Sequence, residues 1–242
     1  MGDDDPTSRA SPVPDRVAVI VPAAGAGTRM GGLPKQFRLL GGAPVLVRTL
    51  EAFAAHPAID ALVVPVPAAE QRAAEAMLSA YGLAAHVVVG GATRQASVGE
   101  GLKAVPEGTG IVLVHDAARP FVVADRIAAV VAAVRAHGAA ALAVPVADTL
   151  RRGRGETFGE TVSREGLYAM QTPQGARLDW LRAAHAAAEA DGITGTDEVE
   201  LLQRAGYPVQ VVEGDPRNLK LTRPTDWALA EALWERRAQR EG

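Results

Sequence analysis

The chain has no cysteine. That excludes disulfides, thiolate catalysis and cysteine-ligated zinc. A strong charge of either sign is also missing. Net charge is −3 and the pI is about 6.0, so nothing points to a general nucleic-acid binder. No apolar run approaches the roughly 18 residues of a membrane span. The opening MGDDDPTSRASPVPD is polar, acidic and broken by proline. It lacks the apolar centre of a signal peptide and is expected to be a disordered tail over residues 1–15. These absences leave a soluble cytoplasmic protein as the expectation, with no membrane or nucleic-acid partner. The 242 residues are enough to bury a real core, and residues 16–242 are expected to form one domain.

What is present is rhythm. Short apolar, β-branched runs stand at 17–21, 61–66 (ALVVPV), 86–89 (HVVV), 111–115 (IVLVH) and 140–146 (AALAVPV). Strands this continuously apolar are expected where helices cover both faces of a parallel sheet. Helix signals lie between them. Pro44 sits at a first helical position before VLVRTLEAFAA, Thr93 is placed to cap RQASVGEGLKAV, and Pro224 opens the last helix. The alternation predicts an α/β fold, a three-layer α/β/α sandwich around a mostly parallel, Rossmann-like sheet. Ligands then belong at the carboxyl ends of the strands. Residues 147–170 break the rhythm with four glycines and no helical stripe. They read as a projecting β-arm, with a surface loop as the alternative; a structureless loop of that length is uncommon in a compact domain.

The first strand leads into PAAGAGTRMGGLPKQ. Gly25 and Gly27 begin a dinucleotide fingerprint, but Met30 stands at its third glycine and no acidic residue ends the next strand. Gly27 and Gly32 have P-loop spacing, yet Leu33 and Pro34 follow in place of lysine and a hydroxyl. Both templates fail at residues that carry their mechanism. What remains is a glycine loop holding Arg29 and Lys35. Its freed N–H groups suit phosphate. Its cations suit a triphosphate under attack, where charge spreads over the oxygens.

Six further segments accompany the loop in order: GGATRQASV, VLVHDAARPFV, PVADTL, LYAMQTPQ, TDEVELLQRAG and VEGDPRNLKLTRPTD. Together they make the chain, from about Val17 to Trp234, closely resemble the 2-C-methyl-D-erythritol 4-phosphate cytidylyltransferase family. The resemblance implies a nucleotidyltransferase that moves a cytidylyl group from CTP to the phosphate of methylerythritol phosphate, releasing pyrophosphate. It also implies a divalent cation such as Mg²⁺, and a homodimer whose β-arms reach across to the partner.

Residue by residue, it implies Arg29, Lys35 and Lys220 as the catalytic cations around the α-phosphate. Ala23, Ala24, Gly25, Gly27, Gly90, Gly91, Ala92, Arg94, Ser97 and Asp116 would bind the nucleotide. Gly90 and Gly91 are expected to let the main chain approach the base, with Ser97 adding a hydroxyl. Asp116, at a strand's carboxyl end, would hold the metal, since Mg²⁺ is held by one or two carboxylates plus phosphate oxygens and water. Thr149 and Arg164 of the arm, Thr172, Thr196 and Arg119 would bind the second substrate. Arg119 also reads as ordering its own loop, and Thr196 equally as a helix cap. His115 reads as structural. Ala92 is a departure, because family members commonly carry an acid after the two glycines; base choice then rests on main chain.

Three other readings compete. One is a cytidylyltransferase for another polyol phosphate, such as ribitol 5-phosphate. Another keeps the fold and uses a different nucleotide and a sugar phosphate. The last, from another class, is a non-catalytic nucleotide-binding protein.

Overall fold

In a computed structural model, the structure describes residues 15–25 and 35–241, the side chains of 35, 238, 240 and 241 excepted. The tail expected over 1–15 lies outside these residues apart from Asp15. In chain order the elements are β1 (Arg16–Ile20), β2 (Leu39–Leu40), β3 (Ala43–Pro44), α1 (Val45–Ala54), β4 (Ala61–Val66), α2 (Gln71–Ala80) and β5 (His86–Val89). Then come α3 (Arg94–Ala104), β6 (Thr109–Val114), α4 (Ala124–His137), β7 (Ala139–Pro145), β8 (Leu150–Arg154) and β9 (Thr157–Val162). The chain closes with β10 (Tyr168–Arg177), α5 (Leu178–Ala190), α6 (Glu198–Arg204), β11 (Gln210–Glu213) and α7 (Pro224–Glu241).

Seven strands form the central sheet in the order β11-β7-β10-β6-β1-β4-β5. All neighbours are parallel except β10, which runs antiparallel to both β6 and β7. The mostly parallel α/β sandwich is therefore the observed fold.

Period-two alternation splits the core. Val17, Val19, Ile111 and Leu113 point to one face, where residues of α1, α2 and α4 cover them. Ala18, Ile20, Val112 and Val114 point to the other, under α3, α5 and α6. All six residues of β6 are buried, so β6 has no polar face to alternate with. Each buried Val, Leu or Ile contributes roughly 1.5–3 kcal/mol. Helix α3 comes so close to β1 that a Cβ on Gly101 would lie 2.7 Å from Ile20 Cγ2, which only glycine allows.

A third, smaller cluster joins the C-terminal helix to the loops. Trp227, Ala230, Leu233 and Trp234 of α7 pack with Leu40, Val45, Ala118, Phe121, Leu219 and Leu221. Leu219 and Leu221 flank Lys220, and Ala118 follows Asp116 by two positions, so this cluster binds separate strand-end loops to one another.

Sequence expectations and structure differ in detail. Pro44 is the residue before α1, not its first residue. Strand β10 begins inside the stretch read as arm and continues through QTPQ into the sheet centre. Its pairing with β7 shifts register between Met170 and Gln174, around Pro173, which has no N–H to offer a ladder. Strands β8 and β9 pair with each other as a two-stranded sheet. They occupy the middle of the stretch read as an arm, and their residues are mostly exposed.

Candidate active site

The order of strands reverses beside β1. From β1 the chain proceeds outward to β4 and β5, then returns to place β6 on the other side. Loops leaving β1 and β6 diverge there, which opens a crevice at the carboxyl edge. A cavity of about 400 Å³ occupies it. Its walls come from Ala23–Gly25 after β1, Gly91–Arg94 after β5, Asp116–Ala118 after β6, and Lys220.

The loop after β1 is pinned at both ends. Ala23 N–H donates to the Pro65 carbonyl at 2.8 Å. Gln36 is buried and donates to the Ala23 carbonyl at 2.8 Å, tying the 3-10 turn Lys35–Phe37 to the loop. A Cβ on Gly25 would meet nothing within 4 Å among the described residues. Gly27 and Arg29, together with the side chain of Lys35, lie outside the described residues.

Gly90 and Gly91 are explained by packing. A Cβ on Gly90 would lie 2.8 Å from Ala24 Cβ, and one on Gly91 2.4 Å from Ala96 Cβ. Ser97 is likewise turned inward. It is buried, with its hydroxyl 2.8 Å from the Thr93 carbonyl and 3.1 Å from that of Gly91. Thr93 caps α3 by accepting from Ala96 N–H. Ala92 lines the cavity and presents no polar side chain.

Asp116 is the one carboxylate among the described residues lining this cavity. It stands amid three cations. Lys220 Nζ is 2.9 Å from Oδ2, Arg119 Nε 3.3 Å from Oδ2, and Arg94 Nε 3.3 Å from Oδ1. Burial alone would raise its pKa, but Lys220, Arg94 and Arg119 outweigh burial and hold it well below the usual carboxylate range. The group is a fixed anion at any physiological pH.

The main chain of Asp116 is held just as firmly. His115 is fully buried, and burial lowers its pKa to about 4, so the ring is neutral near pH 7. Its Nε2 lies 3.0 Å from the Arg119 carbonyl, which can only accept, so Nε2 bears the proton. Nδ1, 3.0 Å from Thr172 Oγ1, then accepts from that hydroxyl. The hydroxyl oxygen in turn accepts the Asp116 N–H at 3.0 Å. Arg119 extends the network by donating to the carbonyls of Asn218 and Met170. It thereby ties the loop after β6 to β10 and to the segment carrying Lys220.

The other expected substrate residues are scattered. Thr172 is buried with its hydroxyl engaged as above. Thr196 is exposed and donates to Glu200 within the cap of α6. Thr149 is exposed beside β8, and Arg164 is exposed after β9 with a bond to the Ala147 carbonyl.

Sequence reasoning missed the buried residues that hold the site, among them Gln36, Gln171, Gln174 and Glu198, and the half-buried His185. Gln171 donates to the Asp215 carbonyl at 2.8 Å, and Gln174 accepts from Glu198 N–H at 2.9 Å. The glutamines flanking Pro173 were the available signal. A larger hollow of about 880 Å³ lies between α1, α4 and α7, floored by Phe121, Val122 and Leu233. Among the described residues, Ala23–Gly25, Gly91–Arg94, Asp116–Arg119 and Lys220 do not line it, so the smaller cavity is where chemistry belongs.

A mostly parallel sheet whose crevice holds a glycine-bearing loop, a fixed carboxylate and converging cations defines a nucleotide-handling enzyme, a nucleotidyltransferase. Residues 17–236 match the family described as 2-C-methyl-D-erythritol 4-phosphate cytidylyltransferase, and the chain belongs to that family. A relative of this name from Salinibacter ruber is 55% identical over 220 residues, covering 90% of this chain and 92% of that protein. One from Deinococcus radiodurans is 49% identical over 218 residues, covering 90% and 89%. The crystal structure of the enzyme of this name from Thermus thermophilus superposes with a TM-score of 0.79 at 41% identity, covering 91% of this chain and 99% of that one.

Proposed function

We propose that the chain transfers the cytidylyl group of CTP to 2-C-methyl-D-erythritol 4-phosphate, giving 4-diphosphocytidyl-2-C-methyl-D-erythritol and pyrophosphate, in isoprenoid precursor synthesis. The observation that carries this reading is the convergence of Lys220, Arg94 and Arg119 on Asp116, a buried residue lining the strand-end cavity. CTP lies with its triphosphate toward these residues and the loop after β1.

An oxygen of the acceptor's phosphate monoester, already anionic near pH 7, attacks the α-phosphorus in line. A new P–O bond forms, the bond to the β-phosphate bridging oxygen breaks, and that oxygen leaves on pyrophosphate. Proton transfer is not needed; positioning and charge stabilisation are. Lys220 acts here, joined by Arg29 and Lys35.

Among the described residues no cluster of three His, Asp or Glu side chains can hold a metal alone. The single carboxylate Asp116 fits a divalent cation such as Mg²⁺ that keeps most of its ligands on phosphate oxygens and water. Bound there, Mg²⁺ would neutralise phosphate charge.

Thr149 and Arg164 hold the acceptor's phosphate across a homodimer, supported by their exposure on the hairpin region and by the planar fork that arginine offers phosphate. CTP, an intracellular nucleotide, supports a cytoplasmic location. No helix among the described residues is long and apolar enough to cross a membrane.

Pyrophosphate release, measured with CTP, Mg²⁺ and a panel of polyol phosphates, tests the reading. Methylerythritol phosphate is expected to be the preferred acceptor. Lys220→Ala should lower kcat by at least about tenfold as charge stabilisation is lost. An unchanged kcat in a folded variant, or preference for ribitol 5-phosphate, overturns it.

A further inference from the structure

Behind the cavity lies a buried carboxylate that meets the cavity's wall at Arg94. Glu198, the first residue of α6, is only 1% exposed. Its Oε1 accepts from Arg94 Nη1 at 2.8 Å, and its Oε2 lies 2.6 Å from His185 Nε2 of α5. Arg94 uses a different nitrogen, Nε, for Asp116. The guanidinium is thus strung between two anions, one in the site and one behind it.

We propose that Glu198 is a positioning residue for CTP binding, acting through Arg94, with His185 fixing the second oxygen of the Glu198 carboxylate. The proposal rests on the cytidylyltransferase reading given above.

Asp116 alone faces three cations. Without a second anion, Arg94 would turn both arms of its fork onto Asp116, since a bidentate pair is the favoured arginine–carboxylate geometry. That would draw the guanidinium across the cavity it lines and take a carboxylate edge now shared with Lys220 and Arg119. Glu198 prevents this by holding Nη1 from the far side.

The surroundings suit a fixed strut. Asp197 caps α6 by accepting from Glu200 N–H, and Gln174 accepts from Glu198 N–H while donating to Asp197. Gln95 of α3 donates to the Ile193 carbonyl and accepts from Gly195 N–H. The start of α6 is thereby locked against the helix that carries Arg94, so the Glu198–Arg94 distance does not depend on a mobile loop. Hydrogen bonds to charged groups are the strong class, and this one is shielded from water.

The test measures KM for each substrate, and the Kd for CTP by calorimetry without acceptor, in wild type and E198Q. Glutamine keeps the volume and removes the charge. E198Q is expected to melt cooperatively, raise KM and Kd for CTP about tenfold, and leave KM for the polyol phosphate within about twofold. Adding E198Q to R94Q should change Kd for CTP by less than about twofold, because the intermediary is gone.

Equal rises in both KM values, an unchanged Kd, or the same loss in the R94Q background would overturn the proposal. If E198Q fails to fold, H185Q replaces it, with a smaller rise in Kd for CTP expected that vanishes in R94Q; no rise, or an equal one in both backgrounds, overturns it. Wild type that releases no pyrophosphate from CTP and any acceptor overturns the functional reading, and this proposal with it. Wild-type activity with a flat E198Q result overturns the proposal alone.

Discussion

The rim of the cavity and the β8–β9 hairpin both concentrate arginine, and they use it in opposite ways. Arg94 and Arg119 have side chains 28% and 11% exposed and each bonds a carboxylate and further partners. Arg152 and Arg154 have side chains 68% and 75% exposed and share one carboxylate, Glu160. Low dielectric strengthens the first set and makes each member costly to orphan. Water and salt screen the second. The same residue type is thus a structural commitment in one place and a solvated, available charge in the other. The buried set can define where a triphosphate lies. The exposed set remains free to meet another molecule.

The contrast is tested most severely at Asp116. Asp116→Ala leaves Arg94, Arg119 and Lys220 facing one another without their shared anion. Removing one member of a buried charged group costs about 3–5 kcal/mol, so the urea midpoint should fall sharply with the slope unchanged. A loss under about 1 kcal/mol would mean that solvent screens this network as it screens the hairpin.

A second test uses pH. His115 is neutral in the fold, its pKa lowered to about 4 chiefly by burial, whereas an unfolded histidine titrates near 6.5. Between those values the unfolded chain binds a proton that the folded chain does not. Stability is therefore fully present above about pH 6.5 and lost as pH falls toward 4, by about 3 kcal/mol in all. Carboxylates with lowered pKa, among them Asp116 and Glu198, add their own loss as pH falls into and below the ordinary carboxylate range. Denaturant melts at pH 7, 5.5 and 4.5 measure the slope, and His115→Gln should flatten it.

The same contrast explains what was legible in the sequence. Strands such as IVLVH announced themselves because a strand buried on both faces must be apolar throughout. Thr93 and Pro224 marked helix starts because capping chemistry is local. Asp116 drew notice because parallel sheets put ligands at strand ends, and its expected role came from the family resemblance. Strand β10 was only half seen, since LYAMQTPQGAR mixes exposed and buried positions and carries a proline where the ladder shifts. Gly90 and Gly91 stood in the right place for a reason of packing that no local pattern reveals. Glu198 was hidden altogether. A glutamate in a short helix normally faces water, and its burial depends on Arg94 and His185, 104 and 13 positions away.

The smallest expected effect lies in the hairpin. Arg152 Nε sits 2.8 Å from Glu160 Oε1 across β8 and β9, with both side chains more than half exposed. Exposed pairs of this kind contribute roughly 0.2–1 kcal/mol at most, so Arg152→Ala should leave the melting temperature of a dilute sample almost unchanged. An isolated two-stranded ribbon is only marginally stable in water, and Phe158 at 84% exposure gives it no core of its own. If the hairpin packs on a partner subunit, Phe158→Ser should shift the dissociation of the dimer, read by light scattering across a dilution series, while the dilute melt stays put. If both variants lower the melt of the dilute protein alike, the hairpin is part of the folded core's stability, and the division drawn between buried and available charge fails there.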